Sequence, residues 1–259
     1  MWQQQGQYDE HVIDMNQIDE QAINAYIAKV FGWMFIGLLV TTVTTIALIY
    51  GINVSDAFAE LIYTMFNLVL IVFIAQVILV GAISARVTKM NPSTAKMLYI
   101  VYAITNGFTV GLIAVLIAAQ IGGIYTLGVT FGVTTVSFGI MAAYGLKTNQ
   151  DLTRFSSLLR MALIGLIIAI VANIFLGSSM FDLLIIIGGL VLFLGLVAAD
   201  TNKIKNHFAY TAIYGSGEDS EVLDQEALAS NLAIVGALML YLDFINIFMF
   251  ILRLLARRR

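Results

Sequence analysis

Long runs without a single charge recur along this chain, and they constrain its fold more than any other feature. They are Val30–Tyr50, Leu61–Ala85, Met97–Ala119, Ile124–Leu146, Met161–Phe181 and Leu183–Ala199. A seventh, Leu228–Leu252, is broken only by Asp243. A helix needs about 20 apolar residues to cross a bilayer's hydrocarbon core. In lipid each backbone polar group must be satisfied within the protein, so such runs are helices and not isolated strands. Composition agrees: of 259 residues 60% are hydrophobic and 11% charged, too little polar surface for a water-soluble globule. The fold class is therefore an all-α integral membrane protein with seven transmembrane helices. The fifth and sixth runs meet at "GSSMFD", Gly177 to Asp182, and are together too long for one helix, so a tight hairpin is expected there.

The domain organisation follows. Residues 1–26 form a polar, acidic tail without the basic start and short apolar core of a signal peptide. Residues 27–259 form the membrane domain, with spans at about 30–50, 61–85, 97–119, 124–146, 161–179, 182–202 and 228–252. Lys29 precedes the first span. Arg86, Lys89 and Lys96 follow the second, Lys147, Arg154 and Arg160 the fourth, Lys203 and Lys205 the sixth. The connections after spans one, three and five have no Lys or Arg. Basic residues mark the cytoplasmic side, so the N-terminus is expected in the cytoplasm. Simple alternation then puts the C-terminus outside, against the basic tail of Arg253, Arg257, Arg258 and Arg259. "GFTVG" (Gly107, Gly111) and "GVTFG" (Gly128, Gly132) set small residues one turn apart, as closely packed membrane helices do. The stretch "YGSGEDSEVLDQEA" before span seven is expected to be a solvated acidic loop within 206–227.

Several chemistries are excluded or disfavoured. The absence of cysteine removes disulfides, thiolate catalysis and cysteine metal sites. His11 and His207 fall in polar segments and read as solvated residues, not zinc ligands. No late span carries the lysine that a retinal protein needs. No nucleic-acid partner and no cofactor are expected.

The carboxylates carry what chemistry remains. Ionisable residues inside membrane helices are rare and face an interior or a water-filled path. An aspartate at a helix centre costs about 3 kcal/mol on insertion scales, so Asp243 calls for compensation. Its partner candidate is Asp200, in "LFLGLVAADTNKIK". The plainer alternatives are a solvated helix-end residue for Asp200 and a lone protonated acid, bonded to backbone, for Asp243. If the two meet, they share a proton and titrate as a unit. Arg86, at the basic end of span two, is the candidate arginine beside Asp200. Asn246, three residues past Asp243, and Asn202, two past Asp200, are the supporting polar residues. Depth counting separates the two aspartates by about 10–15 Å at 1.5 Å per residue. Contact requires span six to run on past Asp200 toward Lys205, or span seven to sit shifted inward.

At these residues the chain resembles the Bax inhibitor-1 family, the transmembrane Bax inhibitor motif proteins, on its bacterial YccA/YbhL/YetJ-like side. The carrying stretches are "LFLGLVAADTNKIK" and "LMLYLDFINIFMFILRLL", with "ISARVTKM" as the basic stretch after span two. The similarity runs from about Gln21 to the C-terminus. It implies a seventh helix central in the bundle, surrounded by the other six, and a pH-sensitive calcium leak across a bacterial cytoplasmic (inner) membrane. It implies that Asp200 and Asp243 are the paired aspartates of the pH sensor, touching calcium transiently, and Arg86 the arginine latch. The implied partners are calcium ions, protons and the lipid bilayer, with a membrane protease for some bacterial relatives. Alternatives are a proton-coupled transporter using the same pair, and an adaptor regulating a membrane protease or a stress or cell-death response. An intramembrane aspartyl protease is disfavoured, because "LYLD" replaces its Gly-x-Gly-Asp motif and no Pro-Ala-Leu stretch follows. No enzyme is expected.

Overall fold

The computed structural model describes residues 20–66, 69–86, 89–150, 152–214 and 222–257. His11, the acidic residues Asp9, Glu10, Asp14 and Asp19, the loop residues 215–221, and Arg258 and Arg259 lie outside them, as does the side chain of His207. The described residues are helical and contain no strand. The elements are α1 (Glu20–Val54), α2 (Asp56–Phe66), α3 (Val69–Arg86), α4 (Pro92–Ile121), α5 (Ile124–Lys147), α6 (Thr153–Leu176), α7 (Ser179–Lys203), a π-helical turn (Ile204–Phe208), α8 (Ala209–Tyr214) and α9 (Val222–Ala256).

Among the described residues, six helices are long and apolar enough to cross a membrane: α1, α4, α5, α6, α7 with its continuation, and α9. The expected second span is divided between α2 and α3, and its apolar part, Ile71–Arg86, is shorter than the rest. Gln76 of α3 is buried and donates to Thr109 Oγ1 of α4 at 3.0 Å, which fastens this segment to the bundle.

The helix ends follow from local chemistry. Pro92 starts α4, where a missing N–H costs nothing, and Asn91 caps it by accepting from the Ser93 N–H. The α4–α5 turn is Gly122–Gly123, both at positive φ, where a side chain is strained. Gly177 closes α6 in the left-handed conformation, and Ser178 caps α7 by accepting from the Phe181 N–H. The hairpin expected at "GSSMFD" is therefore present.

Three boundaries differ from expectation. Residues 20–26 belong to α1, where Glu20 sits favourably in the first turn and Tyr26 is buried. Most of the expected loop 206–227 is helix, because the π turn and α8 carry the sixth span on to Tyr214 and α9 starts at Val222. Polar side chains hide these extensions from a count of apolar residues.

The most buried span is α9, which packs against α1, α4, α5 and α7. The remaining two stand one layer out, α3 against α4 and α6 against α7. The helix is thus central, with α3 and α6 in an outer layer. It runs parallel to α1, since Val30 lies beside Gly236 and Thr41 beside Tyr241. Its last turns meet the end of α4 through Leu252, Ala114, Ala118 and Ile121, so α9 traverses the whole bundle.

The two glycine motifs behave differently. At Gly107 a Cβ would stand 2.6 Å from the Thr41 carbonyl oxygen, and at Gly111 it would collide with Thr45. These glycines let α1 and α4 approach until Thr41 and Thr45 hydroxyls donate across to the Ala103 and Gly107 carbonyls, both at 3.0 Å. Gly128 and Gly132 have nothing within 4 Å. The packing expected of "GVTFG" is absent, since that face of α5 points away from its neighbours.

Candidate functional site: an aspartate pair between α7 and α9

Contacts at several levels fix the register of antiparallel α7 and α9. Asp182 pairs with Arg253, Gly189 lies against the Phe250 ring, and Ile204 lies beside Gly236. Counting from Gly189 and Phe250 puts Asp200 opposite Met239; counting from Ile204 and Gly236 puts it opposite Leu240. Asp243 is then one turn further along, about 5 Å by helical rise. Each Cα–Cβ bond tilts toward its own helix N-terminus. Because the helices are antiparallel, the two carboxylates lean toward one another. This closes the gap that depth counting left open, and the continuation of the sixth span past Asp200 is what makes it possible.

Asp243 is 4% exposed, and its Oδ2 has no hydrogen-bond partner. Asp200 acts on it electrostatically. The two carboxylates act on each other through space. The residues around Asp243 explain its isolation from water. Phe244 meets the rings of Phe131 and Phe138 of α5 at steep angles, with centroids 5.5 and 5.6 Å apart. Tyr241, two residues back, faces α1 and α4.

Of the cations, those acting on Asp200 are Lys203, one turn along α7, and Arg160 of α6. Arg160 also donates from Nε to the Ser156 carbonyl at 3.3 Å. Arg86 is exposed at the end of α3. The structure does not bring it to Asp200, and α3 packs on α4, away from α7.

The supporting polar residues divide too. Asn246 turns back on its own helix, donating to the Leu242 carbonyl at 2.8 Å, and does not join the pair. Asn202, 2% exposed, donates to the Gly145 carbonyl at 3.2 Å and accepts from the Leu152 N–H at 3.3 Å and from Asn206. It ties the end of α5 and the α5–α6 connection to α7, just beyond Asp200. Gly145 itself is pressed against the Ala198 carbonyl.

Two features escaped sequence reasoning. One is a buried hydroxyl cluster on the other side of α9. Tyr241 OH and Thr41 Oγ1 are 2.6 Å apart, Asn106 bonds to both Tyr241 and Tyr102, and Tyr99 OH donates to the Trp33 carbonyl at 2.9 Å. Tyrosines within apolar runs look like ordinary filler, and only the fold shows them converging. The other is the ion pair at the far end of α9. Arg253 reaches Asp182 Oδ1 at 2.6 Å and Arg257 reaches Oδ2 at 3.5 Å. One carboxylate thus compensates two of the basic residues that conflict with alternating topology.

Among the described residues, no group of three or more histidine, aspartate or glutamate side chains could hold a metal ion. The Asp200–Asp243 pair offers oxygen ligands without a closed cage.

The comparisons with known proteins agree with this architecture. A family model described as inhibitor of apoptosis-promoting Bax1 matches residues 23–259. The inner membrane protein YbhL of Escherichia coli K12 is 36% identical over 237 residues, 92% of this chain and 93% of that protein. An uncharacterized protein of Borreliella burgdorferi is 35% identical over 253 residues, 96% of this chain and 99% of its own length. One from Rickettsia prowazekii is 33% identical over 244 residues, 94% of each chain. This multi-pass, helical integral membrane protein belongs to the Bax inhibitor-1 family.

Proposed function

We propose that the protein is a pH-sensitive calcium leak channel of a bacterial inner membrane, gated by protons shared between Asp200 and Asp243. The single observation that carries this is the buried Asp243 carboxylate, with an orphaned oxygen and a second carboxylate acting on it from the adjacent helix. A structural carboxylate in a membrane bundle is expected to have its oxygens satisfied; one poised against another suits a titrating element. With a proton on the pair, α7 and α9 pack together. With the proton lost, two negative charges repel across the interface and attract a cation. Carboxylate oxygens are the hard ligands calcium prefers, and two are too few to retain it, which suits passage over storage. We assign the latch role to Arg160 and Lys203, the cations facing Asp200, in place of Arg86.

In the same proposal the α2–α3 segment is the seventh crossing, and the end bearing Lys29, Lys147 and Lys203 is cytoplasmic. The α9 C-terminus is then external, with Asp182 offsetting its arginines. The test is calcium entry into liposomes containing only this protein, across a pH series. The proposal expects entry that rises as the pH is raised. A protein that admits no calcium at any pH, in vesicles shown to contain it folded, overturns it.

A further inference from the structure

A cavity of about 680 Å³ lies between α5, α6 and α7. That volume falls among ordinary ligand sites. Its walls include Tyr144 of α5, Gln150 of the α5–α6 connection, Phe155 and Leu158 of α6, and Gly195 and Ala198 of α7. The gap lies where α5 and α6 each pack on α7, and the wall between them carries Gly195 and Ala198. Asn202 closes the floor by drawing Gly145 and Leu152 onto α7.

The mouth has the character of a membrane interface. Tyr144, Phe155 and Leu158 are exposed, so in a bilayer they meet acyl chains. Lys147 ends α5, exposed and three residues beyond Tyr144, on the same helical face. Gln150 supplies an uncharged polar group at the same end, and none of the lining residues is acidic. An apolar slot with exposed apolar rim residues and a lysine one turn past its rim residue Tyr144 complements a molecule with a long apolar tail and an anionic head. Basic pockets between membrane helices bind anionic headgroups in this way.

The geometry points to a bound anionic phospholipid, with one acyl chain in the α5–α6–α7 cavity and its phosphate at Lys147 and Gln150. The test reads binding alone, so it does not depend on the proposed ion path. Purified full-length protein in detergent is titrated with phosphatidylglycerol, or with phosphatidylcholine of the same chains, and bound lipid is counted by native mass spectrometry. One phosphatidylglycerol is expected to bind about fivefold more tightly than phosphatidylcholine, the worth of one cation near an anionic lipid headgroup. Lys147→Glu should abolish the preference and Lys147→Arg should keep it. Leu158→Trp, at an exposed position on the lip, should weaken both lipids, and soluble glycerophosphoglycerol should not compete. Equal binding of the two lipids by the parent overturns the assignment. So does a preference that survives both Lys147→Glu and Leu158→Trp, or effective competition by the tail-less headgroup.

Discussion

Replacing Gly107 and Gly128 in turn by alanine separates two motifs that look alike in the sequence. At Gly107 the new methyl group would stand 2.6 Å from the Thr41 carbonyl oxygen and 2.8 Å from Thr44 Cβ. The first obstacle is backbone, so α1 and α4 must move apart, weakening the Thr41–Ala103 and Thr45–Gly107 bonds. Overpacking of this kind costs about 1–3 kcal/mol. At Gly128 nothing lies within 4 Å, so the methyl group meets no protein atom. Alanine there is the better helix former, by about 0.8–1 kcal/mol in a helix interior. With a chain of this size shifting by about 2–4 °C per kcal/mol, Gly107→Ala should lower the unfolding midpoint in detergent by about 2–12 °C. Gly128→Ala should raise it by up to about 4 °C. The assay is thermal unfolding followed by near-ultraviolet circular dichroism. Shifts of the same sign in the two variants would refute the packing argument, as would a neutral Gly107→Ala.

Other expectations follow from single contacts. Asp182→Asn removes the partner of Arg253 and Arg257, and these groups are part exposed, so the loss should be about 0.5–1 kcal/mol and should shrink in 1 M salt; thermal unfolding at two salt concentrations measures it. Tyr241→Phe removes the 2.6 Å contact with Thr41 and the bond to Asn106, and should cost about 1–2 kcal/mol in the same assay with little change in helix content. A reporter fused after Arg259 should be active only outside the cytoplasm, because α9 traverses the bundle from the end where α1 begins; activity confined to the cytoplasm would place that end inside.

The apolar runs made six of the spans legible, because crossing a membrane demands an uninterrupted stretch and leaves little freedom elsewhere. The hairpin at Gly177 and Ser178 was legible for a similar reason: two abutting runs need a turn, and glycine followed by serine supplies a helix stop and a start. Asp243 stood out because a carboxylate in an apolar run is costly. Its relation to Asp200 was less visible, since it depends on α7 continuing through a π turn that apolar counting does not reveal. The choice of cation was not legible at all. Arg86, Arg160 and Lys203 all lie near the basic end, and only helix packing decides that Arg160 and Lys203 act on Asp200. Asn246 shows the same limit. Helical spacing put it on the face of Asp243, but its amide bonds to the carbonyl one turn back. Sequence spacing fixes the face, and the rotamer is settled by neighbours.

The most direct test of the aspartate pair is calcium entry into liposomes across a pH series for the parent, Asp243→Asn, Asp200→Asn and the double variant. Asparagine keeps the size of aspartate and cannot titrate. Each single variant should lose the pH dependence, and the double variant should be no flatter than either, because a shared proton is removed only once. Asp200→Asn should also show raised entry at low pH, since it frees Arg160 and Lys203 from the charge they face. Full retention of the parent's pH dependence in either single variant would contradict the account, leaving Asp243 a neutral buried acid and the sensor elsewhere.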